Sequence, residues 1–121
     1  MKFLNGLVDM DNSIIINKND FLEEISTIKF TIELQGAPVE GFVVTYNGNY
    51  YAYINKCKHL NVELDWQPNK FFEEKKKFII CATHGALYKP DTGECIAGPC
   101  LGAYLKALKI TETESILKIL A

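Results

Sequence analysis

The sequence predicts an all-β fold, a small antiparallel β-sandwich or barrel, and three observations carry that expectation. From Lys29 to Leu34 apolar and polar residues alternate with a period of two, as in a strand with one face buried. Asn47-Gly48 stands between two runs rich in β-branched and aromatic residues, a strong hairpin signal because both positions tolerate a left-handed backbone. Pro90-Asp91-Thr92-Gly93 separates two further short runs in the same way.

The elements follow in order. Residues 1–28 read as an N-terminal extension that packs on the domain formed by residues 29–121. Within it Ile14 to Ile16 is a short β-branched run, and Asp20 with Glu23 resembles a capping box opening a short helix through Ile25. Phe30, Ile32 and Leu34 form the buried side of the first strand of the domain, which Gly36-Ala37-Pro38 ends. Gly41 to Tyr46 and Tyr50 to Asn55 make the hairpin that delivers Cys57, with Tyr46, Tyr50, Tyr51 and Tyr53 on sheet faces. Phe71-Phe72 and Phe78 to Ile80 read as two strands joined by the charged turn Glu73 to Lys77, the second presenting Cys81. Leu87 to Lys89 pairs with Glu94 to Ala97. Leu101, Tyr104, Leu105 and Leu108 have helical spacing, but the strand-like Ile116 to Leu120 favours a closing β-hairpin.

With 121 residues the chain makes about one domain. Hydrophobic residues at 48%, charged residues at 23% and a net charge of −2 are those of a soluble protein with no electrostatic pull towards nucleic acid. All 13 basic residues are Lys, and without Arg the bidentate contacts to phosphate and guanine are lost. No segment is long and apolar enough for a bilayer, and Asn5, Gly6, Asp9 and Asp11 interrupt any export signal. The expected compartment is the cytoplasm, where cysteines serve as metal ligands more readily than as disulfides.

Two motifs carry chemistry. Cys57-Lys58-His59 and Cys81-Ala82-Thr83-His84 each supply one thiol and one imidazole from separate loops. Cys and His are ligands of zinc and of iron, so a structural zinc site in the same four residues is one reading. Zinc fingers usually pair Cys with Cys and His with His, whereas one Cys and one His per loop suits a two-iron cluster with two Cys on one iron and two His on the other.

Together with His84-Gly85-Ala86-Leu87-Tyr88, the turn Pro90 to Gly93, and Gly98-Pro99, this pattern resembles the Rieske family of 2Fe-2S proteins over roughly residues 29 to 120. The resemblance implies cluster-binding loops at one end of the sandwich and one cluster per chain, with Cys57 and Cys81 on one iron and His59 and His84 on the other. Asn61 to Asn69, with Trp66 and Pro68, would then cover the core near the cluster. Two ferric ions, two sulfides and two thiolates sum to no charge, whereas four thiolates leave two negative charges. Neutral imidazoles therefore make an electron easier to add.

High-potential members of the family carry an extra Cys in each ligand loop, where this chain has Val62 and Thr83, and a Ser where it has Ala86. Tyr88 keeps the place of a Tyr whose hydroxyl can reach a Cys sulfur. The chain thus looks like the ferredoxin branch and small stand-alone Rieske-domain proteins whose third loop reads Gly-Pro-Cys. Its potential is expected in the lower part of the family's range of about −150 to +300 mV. Cys95 and Cys100 lack plant-type cluster spacing and read as small core thiols, a labile disulfide or a thiol near the cluster. The implied function is one-electron transport between a reductase and an oxygenase or other oxidoreductase, without enzymatic activity of its own. The alternative is an electron-transfer subunit or regulatory module of a larger redox enzyme. His59 and His84 are the chain's two histidines and both are committed, which leaves none for the second iron of an oxygenase.

Overall fold

A computed structural model of the chain describes residues 7–8, 13–21, 26–56, 64, 72, 77–81 and 85–120. The expected all-β fold is what these residues form. The strands are β1 (Leu7–Val8), β2 (Ile14–Asn17), β3 (Thr27–Leu34), β4 (Ala37–Tyr46), β5 (Asn49–Ile54), β6 (Ile79–Ile80), β7 (Leu87–Tyr88), β8 (Cys95–Ala97), β9 (Ala107–Glu112) and β10 (Ile116–Leu120). One antiparallel sheet has the order β1-β2-β10-β9-β5-β4-β3, and a second, smaller one has the order β6-β7-β8.

The large sheet curls around an aliphatic core. Ile14 and Ile16 of β2, Ile28, Phe30 and Ile32 of β3, Leu108 of β9, and Leu117 and Ile119 of β10 all bury their side chains in it. β3 at one end of the strand order and β2 next to the other therefore face one core, which makes the sheet nearly a barrel. β2 pairs with β10, Ile16 opposite Leu117, so part of the segment read as an N-terminal extension is a strand of this sheet.

β4 and β5 are buried on both faces. Val43, Ala52 and Ile54 point into the aliphatic core, whereas Phe42, Val44 and Tyr53 point into a second core under the small sheet. Successive strand residues face opposite ways, so a run such as Phe42-Val43-Val44 is continuously apolar because it serves two cores.

The turns follow local chemistry. Asn47 and Gly48 have φ of 52° and 79°, the two positive values of a type I′ hairpin turn. Gln35 and Gly36 make the same kind of turn with φ of 52° and 82°, so β4 begins at Ala37 and runs through Pro38, where the sequence suggested a break. Pro38 stands in a stretch of β4 that pairs with β3 alone, and its missing N–H costs no bond to β5.

Asp20 does not open a helix. Residues Lys18–Asp20 form a single 3-10 turn capped by Asn17, whose side chain accepts from the Asn19 N–H at 2.8 Å. Phe21 is already extended, and residues 22–25 of the expected helix lie outside the described residues. Residues 101–106 are turns and a bridge between Glu94 and Tyr104, and the closing hairpin is β9–β10 with Leu117 opposite Glu112. A bridge between Phe72 and Ile79 shows the antiparallel pairing expected on either side of the charged turn. Residues 73–76 of that turn lie outside the described residues. Among the described residues no helix is long and apolar enough to cross a membrane.

Candidate metal centre

The residues that flank two loops, together with a third loop, meet at the core beneath the small sheet, and hydrogen bonds join them. Residues 57–63 are bracketed by Asn55 and Leu64. The Asn55 side chain is buried, its Oδ1 accepting from the Leu64 N–H at 2.9 Å and its Nδ2 donating to Glu40 Oε1 at 2.9 Å. Glu40 also pairs with Lys29 Nζ at 3.0 Å. One amide thus ties the end of β5 to the far side of the loop.

The residues on either side of 82–84 are joined by backbone bonds. Cys81 N–H donates to the Ala86 carbonyl at 2.9 Å, and Gly85 N–H donates to the Cys81 carbonyl at 2.7 Å. The third loop follows β8. Cys95 N–H donates to Ala103 O at 2.7 Å and Gly102 N–H donates to Cys95 O at 3.0 Å, which folds the segment between them back on itself. Gly98 adopts φ of +101°, and a Cβ there would stand 2.8 Å from Ala86 Cα. The third loop therefore lies backbone to backbone against the end of the second, which no other residue type permits.

Side chains that flank the first two loops share one core with residues of the third. Leu64, Cys81, Ala86, Tyr88 and Cys95 are buried together, with Cys100 packed against them. The Tyr88 hydroxyl lies 3.1 Å from Cys100 Sγ, so a sulfur that it meets belongs to the third loop. Tyr53 holds the Pro90–Gly93 turn from below, its hydroxyl donating to Pro90 O at 2.8 Å. Burial, with the charge of Asp91 adding to it, pushes the Tyr53 hydroxyl well above its ordinary range, so it stays a donor.

Of the four expected ligands, Cys81 stands directly after β6 with its side chain fully buried in this core. Cys57, His59 and His84 lie outside the described residues, as do Val62, Thr83, Trp66 and Pro68. The donor chemistry at Cys81 fits an iron-sulfur group. A thiolate in apolar surroundings is unfavourable unless a cation compensates it, and a soft sulfur ligand screened from water is what a cluster iron takes.

Asn55 and Tyr53 position the loops without being ligands, and the sequence did not single them out for that role. The available signal for Asn55 was a polar residue ending the apolar run Tyr51 to Ile54. Its partner nine residues further on left no mark in the sequence.

No curated protein matches the chain. Solved structures share its fold. The ferredoxin of carbazole 1,9a-dioxygenase from Nocardioides aromaticivorans IC177 is 21% identical over 88% of this chain and 93% of that one, with a TM-score of 0.67. The terminal oxygenase of carbazole 1,9a-dioxygenase from Novosphingobium sp. KA1 is 18% identical over 92% of this chain but 30% of that one, with a TM-score of 0.68. The reduced complex between oxygenase and ferredoxin in carbazole 1,9a-dioxygenase aligns at 20% identity over 90% of this chain and 28% of that one, with a TM-score of 0.67. At the level of sequence, residues 16–114 match the family model described as a Rieske [2Fe-2S] domain. That match spans both Cys/His motifs, the Pro90–Gly93 turn and Gly98-Pro99, and by it the chain belongs to the Rieske [2Fe-2S] family, whose cofactor is a 2Fe-2S cluster.

Proposed function

We propose that this protein is a one-electron carrier whose cluster is held by Cys57 and Cys81 on one iron and by His59 and His84 on the other. It passes electrons between a reductase and an oxygenase or other oxidoreductase, in the cytoplasm, and catalyses no reaction alone. The observation that carries this reading is the burial of the Cys81 thiol where three loops share one core, in a chain of this family. When bound, the cluster supplies a centre that accepts and releases one electron. The chain's own part is to seat it: Leu64, Ile79, Ala86 and Tyr88 surround the sulfur side with apolar contact, which excludes water and favours the neutral oxidised core over a charged one.

The partner class is supported by the likeness to the ferredoxin, which extends over 93% of that protein. Carbazole 1,9a-dioxygenase ferredoxin is seen in complex with its oxygenase. A second reading, an electron-transfer subunit or regulatory module of a larger redox enzyme, is favoured by the oxygenase match, in which the same fold fills 30% of a longer chain. On either reading the cluster is held within residues 29–121, while residues 1–28 complete the scaffold, β2 being a strand of the large sheet.

The ligand assignment is tested on anaerobically purified protein. It is expected to be reddish-brown and, once reduced, to give the electron resonance spectrum of a mixed His/Cys cluster. His59→Cys and His84→Cys should each lower the midpoint potential of any cluster that assembles, because each adds a negative charge. A colourless protein with stoichiometric zinc, or an unchanged potential in an intact variant cluster, overturns the assignment.

A further inference from the structure

Cys95 and Cys100 are absorbed by no part of the electron-carrier reading, yet the fold brings them into contact. Cys95 is buried on β8, and Cys100 sits in the turn that returns over it, the two Sγ atoms 3.2 Å apart. Both are free thiols. Cys95 Sγ also donates to Ala97 O at 3.3 Å, and the Tyr88 hydroxyl lies on the far side of Cys100 Sγ. The two thiols are unequal in access. Gly98, Pro99, Leu101 and Gly102 around Cys100 are exposed, Leu101 at 70%, and Cys100 itself is half-buried. A disulfide needs sulfur atoms about 2.05 Å apart, so an approach of about one ångström brings the two sulfurs to bonding distance once an oxidant takes two electrons and two protons leave.

We propose that Cys95 and Cys100 are a thiol–disulfide exchange site for small-molecule disulfides, with Cys100 as the attacking residue and Cys95 as the resolving one. In the first step Cys100 gives its proton to water and its sulfur attacks a disulfide RSSR. The S–S bond of RSSR breaks, a Cys100–S–SR bond forms, and RS⁻ leaves and takes up a proton. In the second step Cys95 loses its proton and attacks the sulfur of Cys100, forming the Cys95–Cys100 bond and releasing the second RSH. The protein gives up two electrons and two protons, and RSSR takes both to become two RSH. Burial pushes the Cys95 thiol up to about 11, the hydrogen bond with Cys100 adding to it, which keeps Cys95 protonated and inert until the mixed disulfide stands beside it. The site makes the protein responsive to the thiol–disulfide ratio around it, separately from any electron on the cluster.

The test uses the cluster-loaded protein with an excess of oxidised glutathione and no denaturant. Peptide mapping after alkylation reads Cys95 and Cys100 apart from Cys57 and Cys81. Wild-type protein is expected to lose two hydrogens in a Cys95–Cys100 cross-link that dithiothreitol reverses. Cys95→Ala should instead trap glutathione on Cys100, and Cys100→Ala should take up none. The wild-type reaction needs no variant to fold, and the colour of the same samples reports the cluster independently. The proposal is overturned if wild-type protein keeps both thiols, if Cys100→Ala reacts as fast as wild type, or if the lost thiols map to Cys57 and Cys81 with bleaching.

Discussion

In the core of the large sheet every buried residue is aliphatic or Phe, and the strands β3 and β4 that enclose it pair over eight residues without a break in register. The small sheet is built differently: its strands are two or three residues long, and its core includes two thiols and two tyrosines. The first region is stabilised chiefly by apolar burial, at roughly 25 cal/mol per Å² of apolar surface, on a continuous strand ladder. The second is built on short elements and is held by pins: the Asn55 amide, the Gly98 contact with Ala86 and the Tyr53 hydroxyl, to which the cluster would add. A metal group bound only by the folded state adds its binding free energy to that state. The barrel is therefore the scaffold, and on the proposed ligation by Cys81 the small sheet is the part whose order would be tied to its cofactor.

The strongest way to break this contrast is Cys81→Ala. It should abolish the visible cluster absorption and remove hydrogen-exchange protection from β6 to β8 while β3 to β5 keep theirs. Equal loss in both regions would show that the two halves are one cooperative unit. Next in size, Leu117→Ala removes a fully buried barrel residue and should cost about 2 to 5 kcal/mol. Chemical denaturation would show that loss, with the cluster potential of the folded protein unchanged. Asn55→Ala leaves the Leu64 N–H without its acceptor and should cost about 1 to 3 kcal/mol. Here hydrogen exchange should report the loss first around residues 57–64, ahead of the barrel. The smallest effect belongs to Tyr88→Phe: its hydroxyl meets Cys100 Sγ, which is not an expected ligand, so the cluster potential should fall by less than about 59 mV, a tenfold change for one electron, with stability nearly unchanged. Film voltammetry reads it directly, and a larger fall would show that the hydroxyl also stabilises the reduced cluster.

The same contrast governs what could be read from the sequence. The barrel was legible wherever period and turn chemistry agreed, as at Phe30 to Leu34 and Asn47-Gly48, because one buried face or one left-handed pair leaves a local mark. It was misread at Ala37-Pro38, since a proline that is harmless on a singly paired stretch looks the same in sequence as one that ends a strand. Helical spacing in Leu101 to Leu108 had no helix behind it, because turns there bury Leu105 in one core and β9 carries Leu108 to the other. At the site, the placement of Cys81 after a strand and the turn before Cys95 were readable. The meeting of Cys95 with Cys100, and of Asn55 with Leu64, depends on loops folding back, and no periodicity encodes that.

β4 and β5 have a packed core on each side, with Val43 and Phe42 both fully buried on opposite faces. Close-packed interiors resist compression, and surroundings already arranged for a charge need little rearrangement when it arrives. For an electron carrier the quantity at stake is the reorganisation energy. On the proposed function, a wall packed on both sides near the cluster would keep that energy small, and so would bear on how fast an electron crosses to a partner, not on which way it goes.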